Sequence, residues 1–346
     1  MNKLRLSDVA KEAGVSIATA SLVLNGKGRI SEKVQIRVLD AAKRLGYKNN
    51  LSVPFTLRHK IRPVGILLYE DHLKSFEWHF VRKIITRIEE VLEKERYYPV
   101  FIPVKYNSDT RYLLTELLTT KVKGVFSVHY SNQELFTRLE ELGVPLVLVN
   151  NSNFQSTFYT VCTDDFQASY EGTKHLLELG HRGIVYVRYS LPDISTFISD
   201  SAIGIKKALD EFNVHLPDRN ILTVDLYDHA EMKKKLSTLI KSSDTITAIF
   251  ALDDYLAAKI IALLESLSIS VPQEMSIIAA GDTLNYDDPF IPRITTMRVD
   301  ADALGLFSGN LMLERLGKRS RNIQVIKIKQ HLINRESCKR RDEIIR

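Results

Sequence analysis

Three pairs of adjacent aspartates are residues of this chain whose type and spacing could support acid-base chemistry. The pairs are Asp164-Asp165, Asp253-Asp254 and Asp287-Asp288. Such pairs could supply a general acid and base to a hydrolase, or oxygen ligands to a metal ion. Adjacent carboxylates on one chain point in different directions, however, and one of them often caps the helix that follows. We therefore predict that Asp165 and Asp254, each at the start of a helix, are helix caps.

The histidines and cysteines do not add a catalytic set to these acids. The nine histidines are scattered, and none forms a close pair with an acid on one helical face, as a zinc hydrolase requires. His181, which follows Leu179-Gly180, is predicted to mark a helix exit. Cys162 and Cys338 are far apart, which fits a reducing cytosol and neither a disulfide framework nor a zinc site. We expect no cofactor, no metal and no enzyme, with a hydrolase as a remote alternative.

The segments that would position the acids alternate between β-rich and helical patterns after Arg62. Predicted strands cover 64–68, 100–104, 124–128, 146–149, 183–187, 221–224, 248–252 and 276–280. Predicted helices cover 79–96, 109–121, 132–142, 167–179, 203–212, 230–241 and 256–267. This alternation predicts βα units and parallel sheets, and the repeat of the rhythm predicts two doubly wound lobes of an α/β fold.

Residues directly after the strands are candidate ligand contacts. In open α/β lobes, ligands bind beyond the carboxyl ends of the strands, so these residues would line a cleft between the lobes. The rule nominates Tyr69, Tyr130, Asp164, Tyr189 and Asp253.

The N-terminal segment has a different pattern, which predicts two short helices joined by a turn at Gly14-Val15-Ser16. Ser7 is a suitable N-cap, Gly14 allows a positive φ, and Ser16 can cap the second helix. Val9, Ala10 and Ala13 would pack against Ala20, Val23 and Leu24, while Ile17, Ala18, Ser21 and Leu22 would face a partner groove. A third helix would begin after Ser31 and end at Gly46, with a buried stripe at Val34, Val38, Leu39, Ala42 and Leu45. This arrangement predicts a helix-turn-helix.

Charge distinguishes this segment from an ordinary helical bundle. Residues 1–62 contain thirteen Lys or Arg and four Asp or Glu, whereas the whole chain has a net charge of +6. A basic head on a near-neutral body is the electrostatic pattern of a DNA-binding protein.

Length and composition fit a head followed by a two-lobed body. The chain has 346 residues, of which 45% are hydrophobic and 26% are charged. No apolar run approaches the roughly 20 residues that span a membrane. The N-terminus has no apolar signal segment, so we expect a cytoplasmic protein.

The head resembles that of the lactose repressor (LacI/GalR) family. The matching residues have the family's spacing without a gap: Asp8-Val9-Ala10, Ala13-Gly14-Val15-Ser16, Ala18-Thr19, Val23-Leu24-Asn25-Gly26, Val38-Leu39, Ala41-Ala42 and Leu45-Gly46-Tyr47. The resemblance implies a sequence-specific transcriptional regulator that binds double-stranded DNA as a homodimer.

The resemblance extends along the body and implies a fold similar to periplasmic sugar-binding proteins of type I. Its landmarks include Gly143-Val144-Pro145, Leu179-Gly180-His181, 271–277, Thr295-Thr296 and Arg335-Glu336-Ser337. The implied domains are a head at 1–48, a hinge linker at 49–62, a body at 63–340 and a tail at 341–346. Within the body, one lobe would comprise 63–162 and 294–322, and the other 163–293 and 323–340. Residues 338–346 are predicted to be a frayed, solvated end.

At the effector site the chain departs from the family. Ser201 stands where a sugar-binding Arg is usual, and Gly281 replaces a ligand-binding Asp, with Asp282 next to it. Phe80 matches an aromatic position that stacks on ligands, although a core role is equally consistent with it. Acids without a compensating Arg predict an acidic cleft that suits a neutral polyol or a cationic ligand and disfavours sugar phosphates and purines.

In the head, Ile17, Ala18 and Leu22 occupy positions where many members read bases with basic or polar side chains. Base reading would therefore depend on Ser16, Thr19, Ser21 and methyl contacts to thymine. The family's hinge helix wedges a leucine into the minor groove, whereas this chain has Thr56 at that position and Pro54 within the expected helix. The predicted DNA contacts are Ser7, Ser16, Ile17, Ala18, Thr19, Ser21, Leu22, Asn25, Arg29, Phe55 and Leu57.

These observations favour a regulator, most simply a repressor, whose heads respond to a ligand in the interlobe cleft. A regulator controlled by a protein partner without a small-molecule effector is the alternative. The sequence therefore predicts a DNA-binding protein with two possible kinds of signal.

Overall fold

The computed structural model describes residues 6–24, 30–45, 62–70, 78–105, 107–189, 196–317 and 322–343. The predictions made for Asn25, Arg29, Phe55 and Leu57, and for the hinge helix containing Pro54, lie outside these residues. No helix within the described ranges is long and apolar enough to cross a membrane.

The head consists of three helices, α1 (Leu6–Glu12), α2 (Ile17–Leu24) and α3 (Glu32–Leu45). Gly14 has a φ of 61°, which confirms the left-handed turn between α1 and α2. Eight positions of the predicted core are confirmed, each at most 5% exposed: Val9, Ala10, Ala13, Ala20, Val23, Leu24, Val38 and Ala42. The side chain of Leu39, also predicted to be buried, is not among those that the structure describes. Val34 and Leu45 pack against this cluster from its edge.

The first sheet has six strands in the order β11-β5-β4-β3-β1-β2. Its consecutive elements are β1 (Arg62–Tyr69), α4 (Trp78–Lys94), β2 (Tyr97–Val104), α5 (Thr110–Thr120), β3 (Val125–Val128), α6 (Gln133–Glu141), β4 (Leu146–Val149) and β5 (Thr160–Thr163). Two elements from the C-terminal part of the chain complete this lobe, namely α11 (Ala301–Gly317) and β11 (Val325–Ile328).

The second sheet also has six strands, in the order β12-β10-β9-β8-β6-β7. Its elements are α7 (Asp165–Glu178), β6 (Gly183–Tyr189), α8 (Thr196–Glu211), β7 (Ile221–Val224), α9 (His229–Lys241), β8 (Ile246–Ala251), α10 (Asp254–Glu265), β9 (Ser276–Gly281), β10 (Thr295–Arg298) and β12 (His331–Ile333). Strand β12 pairs with β10 in antiparallel orientation, whereas the other paired strands of this sheet run parallel.

Two segments belong to a different lobe from the one predicted. Strand β10 pairs with β9 and therefore lies in the second sheet, although 294–322 was expected in the first lobe. Strand β11 pairs with β5 in the first sheet, although 323–340 was expected in the second lobe. The chain thus crosses between the lobes after β5, β10 and β11, in each case from the carboxyl end of a strand.

The C-terminal segment is ordered further than expected. Lys339 donates its backbone N–H to Ser276 and accepts a hydrogen bond from the His181 ring, while the N–H of Arg341 donates to Leu179 O. Residues 338–341 therefore pack against the second sheet, in contrast to the predicted frayed end. Their hydrogen-bond partners lie far away in sequence, so local composition gave no sign of them.

Helices α7 and α8 approach closely at Gly204. A Cβ added at Gly204 would lie 2.3 Å from the carbonyl oxygen of Phe166 and 2.4 Å from Ser169 Oγ. Ile198, Ile205, Ala208 and Leu209 from α8 belong to the core of the second lobe. The absence of a side chain at Gly204 is therefore what permits this helix pair.

Candidate DNA-binding face and interlobe cleft

Ser16 begins the second helix of the head. Its Oγ accepts a hydrogen bond from the N–H of Thr19 at 3.0 Å and lies 2.8 Å from Thr19 Oγ1. This is the N-cap geometry predicted for Ser16, and it satisfies one of the backbone donors of the first turn. The hydroxyls of Ser16 and Thr19 are thus engaged with each other and with the helix terminus.

The outward face of α2 is apolar. Ile17 is 55% exposed and Leu22 is 38% exposed, and Ala18 is also exposed. Residues four apart share a helix face, so Ile17 lies above Ser21 and Ala18 lies above Leu22. The sequence of α2, IATASLVL, contains no charged or amide side chain. Ser7, Thr19 and Ser21 are half-buried, which leaves the aliphatic side chains most prominent.

The acids after β5 and β8 cap helices, but one residue earlier than predicted. Asp164 accepts the N–H of Gln167, and Asp253 accepts the N–H of Leu256, so these two residues are the N-caps of α7 and α10. Asp165 and Asp254 are instead the first residues of the helices. The prediction that Asp165 and Asp254 are caps is therefore wrong.

Asp165, which is half-buried, and Asp254, which is fully buried, are acids with their own partners. Asp165 accepts hydrogen bonds from Thr163 Oγ1 at 2.7 Å and from Gln330 Nε2 at 3.4 Å, and burial raises its pKa to about 7. Asp254 accepts from Thr283, from the N–H of Leu284 and from Tyr286, and burial raises its pKa. Each carboxyl group therefore connects the start of its helix to residues outside that helix through hydrogen bonds.

Asp282, after β9, lies among cations. Its carboxylate is 2.7 Å from the Arg335 guanidinium and also pairs with Arg298, and it accepts a hydrogen bond from Thr296 Oγ1 at 2.6 Å. Arg335 stacks on the Tyr286 ring at 3.8 Å. Folding therefore brings two arginines, Arg298 and Arg335, beside Asp282, whereas the sequence predicted acids without a compensating Arg.

The aromatic candidates are less open than predicted. Tyr130 is 2% exposed, and its ring packs edge-on against Tyr69 at 5.3 Å between centroids. Phe80 is 6% exposed, which supports the core role of that ring. Ser201 is only 3% exposed. Tyr189 is half-buried and donates its hydroxyl hydrogen to Asp253.

Several polar residues at the carboxyl ends of the first sheet were missed by the sequence reasoning. His129 Nε2 lies 2.8 Å from Asn150 Nδ2, and both residues have positive φ angles, 58° and 50°. Thr163 Oγ1 lies 3.4 Å from Asn150 Oδ1. His129 and Asn150 directly follow β3 and β4, so the rule that nominated the residues after the strands could have found them.

Side chains also connect the two lobes. Lys327 of β11 forms an ion pair with Asp200 of α8 at 3.1 Å. Asn153 Oδ1 accepts the N–H of Thr196, at the beginning of α8. Gln330, in the crossover after β11, exchanges two hydrogen bonds with Gln167 of α7. These contacts lie in the region where the carboxyl ends of both sheets meet the crossovers.

The paired acids do not form a metal centre in the described part of the chain. Among those residues, no group of three or more His, Cys, Asp or Glu side chains is arranged to hold a metal ion. Asp164, Asp165, Asp253 and Asp254 are each engaged in capping or loop contacts instead.

Comparison with known proteins agrees with both parts of this architecture. Residues 5–50 match the model of bacterial regulatory proteins of the lacI family, and residues 173–338 match that of a periplasmic binding protein-like domain. The HTH-type transcriptional regulator RegA of Clostridium saccharobutylicum is 25% identical over 334 residues, which cover 96% of this chain and 98% of RegA.

Two solved structures have the same fold. A complex of the transcriptional regulator CelR with cellobiose has a TM-score of 0.67 at 21% identity, covering 96% of this chain and 99% of CelR. The lac repressor dimer bound to operator and the anti-inducer ONPF has a TM-score of 0.68 at 19% identity, covering 98% of this chain and 100% of that one. With the helix-turn-helix head and the two-lobed body, these matches show a DNA-binding transcriptional regulator that combines a lacI-family helix-turn-helix domain with a periplasmic binding protein-like domain.

Proposed function

We propose that this regulator is a cytoplasmic repressor that binds a near-palindromic operator as a homodimer through α2. The observation that carries the proposal is the exposed face of α2 on a segment, residues 1–62, with thirteen basic and four acidic residues. In a helix-turn-helix, the second helix enters the major groove while basic residues contact phosphates. The proposed domains are a DNA-binding head at 1–48, a linker at 49–62 and a body that receives the signal.

The signal is a neutral polyol in the interlobe cleft. Asp282 is balanced by Arg298 and Arg335, Asp200 is paired with Lys327, and Asp253 holds the Tyr189 hydroxyl. The cleft is thus less acidic than the sequence alone suggested, which weakens the case for a cationic ligand. The related CelR structure holds cellobiose, a neutral sugar. Asp164, Tyr189 and Asp253 are the proposed contacts.

Control by a protein partner is the second candidate. It is favoured by the internal engagement of the cleft acids and by the burial of three predicted ligand contacts, Phe80, Tyr130 and Ser201. A small molecule in the cleft would then have fewer polar and aromatic side chains to contact. In this case the signal would come from a partner protein that binds the surface of the body.

DNA binding is tested with the full-length chain and a pool of random-sequence duplexes. We expect selection of a near-palindromic sequence whose affinity falls with salt, at a slope of about 0.9 per phosphate contact. Ile17→Asp and Leu22→Asp should abolish binding without unfolding the chain, since both positions are exposed. Leu142→Asp, on a lobe residue that is also 55% exposed, is the matched control. Equal binding by all three variants would contradict the assignment of α2.

Ligand control is tested by calorimetry of the full-length chain against cellobiose, monosaccharides, a sugar phosphate and a polyamine. We expect a neutral sugar to bind and to change the affinity for the selected operator, and Tyr189→Phe to weaken that binding. Tight binding of a sugar phosphate would contradict the neutral-ligand proposal. If no small molecule binds while operator binding persists, the protein-partner candidate is favoured.

A further inference from the structure

We propose that Ile17 and Leu22 read thymine by contact with its C5 methyl group, so that the operator half-sites are rich in A·T pairs beneath α2. This inference rests on the proposed function, because it assumes that α2 enters the major groove. It names the base specificity that the head imposes.

The hydroxyl groups at the start of α2 already have hydrogen-bond partners. Ser16 Oγ accepts the N–H of Thr19 at 3.0 Å and pairs with Thr19 Oγ1 at 2.8 Å. A hydroxyl engaged in capping would have to give up that bond to reach a base edge, and the loss of an N-cap destabilises a helix. The two polar side chains nearest the start of the helix are therefore poor candidates for direct base reading.

The most exposed large side chains of α2 are aliphatic. Ile17 is 55% exposed and Leu22 is 38% exposed, whereas Ala20 and Val23 of the same helix are at most 2% exposed. Covering an exposed aliphatic side chain with an apolar partner removes apolar surface from water, which favours binding. In the major groove, the thymine C5 methyl is the apolar group that a base edge presents.

Helix α2 has none of the side chains that most often read guanine or adenine. Guanine is most often read by Arg or Lys, and adenine by Asn or Gln, through paired hydrogen bonds. The residues of α2 include none of these four types. Direct base reading by this helix is therefore left to apolar contact and to the half-buried hydroxyl of Ser21.

Helix geometry sets the spacing of the two contacts. Ile17 and Leu22 are separated by a rise of about 7.5 Å along the helix axis, at about 1.5 Å per residue. Base pairs are stacked about 3.4 Å apart, so the two side chains are far enough from each other to contact different base pairs. Ala18 is also exposed on this helix.

The experiment uses the full-length chain and the duplex selected from the random pool. Thymine is replaced by deoxyuridine, which removes the C5 methyl alone, at one symmetric pair of positions at a time. We expect binding to weaken about fourfold for each methyl removed at a contacted position, as for the loss of one buried methyl group, and to stay unchanged elsewhere.

Protein variants assign each methyl to a side chain. In Ile17→Ala, deoxyuridine should lose its effect at one position and keep it at the position read by Leu22, and Leu22→Ala should give the converse. Leu142→Ala, an equally exposed aliphatic outside the head, should retain both effects.

Three results would overturn the inference while leaving sequence-specific binding intact. They are a selected half-site read through G·C pairs, deoxyuridine effects below twofold at every position, and unchanged deoxyuridine effects in both Ala variants. Failure to select any sequence would instead contradict the proposed function itself.

Discussion

The guanidinium of Arg335 lies 2.7 Å from the carboxylate of Asp282, and the two side chains are 6% and 5% exposed. Arg335 also donates to the carbonyl oxygen of Ile294 and to Thr296, and its guanidinium lies over the Tyr286 ring. The pair therefore joins the end of β9 to the segment that follows β12, beside the crossovers between the lobes. A buried pair of this kind is costly to break from one side, because the remaining charge stays buried.

Asp282→Ala should lower the free energy of unfolding by about 3 kcal/mol or more, since it leaves Arg335 buried without its carboxylate. Denaturation in urea measures the loss. Glu141→Ala is the matched control, because the Arg138–Glu141 pair is exposed on both sides and such surface pairs contribute at most about 1 kcal/mol. Equal stability of the two variants would mean that the buried pair does not hold the second lobe together.

Gly204→Ala should destabilise the chain by about 2 kcal/mol, because the added methyl meets the backbone of α7, which cannot move aside as a side chain can. Thermal denaturation followed by circular dichroism measures the effect. Gly317→Ala serves as the control, since nothing lies within 4 Å of a Cβ at that position. Comparable melting temperatures for both variants would contradict the close approach of α7 and α8.

The buried His181 should make the second lobe sensitive to acid. Its ring lies between Thr247 Oγ1 and Lys339 O, each at 2.9 Å, and burial lowers its pKa to about 4. Between pH 6.5 and 4 the unfolded state binds the proton more readily than the folded state. The folding stability linked to the neutral His181 ring is therefore fully present above pH 6.5. It is lost as the pH falls towards 4, by roughly 3 kcal/mol in total.

Urea denaturation from pH 7 to pH 4 checks this dependence. The variant His181→Gln should show a shallower loss of stability over this range, whatever its absolute stability at pH 7. A slope equal to that of the unmodified chain would mean that other groups cause the acid sensitivity.

Asp165 should have the opposite dependence on pH. Burial raises its pKa to about 7, so the folded state retains the proton over a range in which the unfolded state has lost it. Stability from this group is present below the ordinary carboxyl pKa and is lost as the pH rises towards 7. Asp165→Asn keeps an oxygen acceptor for Thr163 and Gln330 and removes the ionisation.

The Asp165→Asn variant should therefore be more stable than the unmodified chain at pH 8, by roughly 2–4 kcal/mol, with a smaller gain at pH 5. Paired denaturation curves at the two pH values give the comparison. Asp164→Asn is a neighbouring control, because Asn also caps helices and keeps an oxygen acceptor for the N–H of Gln167. A loss of stability at pH 8 in Asp165→Asn would show that the charged form is required.

The sequence by itself determined the elements of the head and most strands of the two sheets. Val9, Ala10 and Ala13 in α1, and Ala20, Val23 and Leu24 in α2, recur at helical spacing, and Gly14 permits the turn between these helices. Local apolar periodicity and the conformational range of glycine are properties of short segments, so they can be interpreted without the rest of the chain. The basic charge of residues 1–62 is likewise a sum over one segment.

The tertiary structure alone decided which sheet each late strand joins and which acids remain available in the cleft. Strands β10 and β11 have similar β-rich patterns, and only pairing with β9 and β5 assigns them to their lobes. A one-residue difference in where α7 and α10 begin makes Asp164 and Asp253 the caps and leaves Asp165 and Asp254 to hydrogen-bond residues outside their helices. The charge of Asp282 is balanced by Arg335, a partner brought close by folding, and such long-range pairing leaves no trace in local composition.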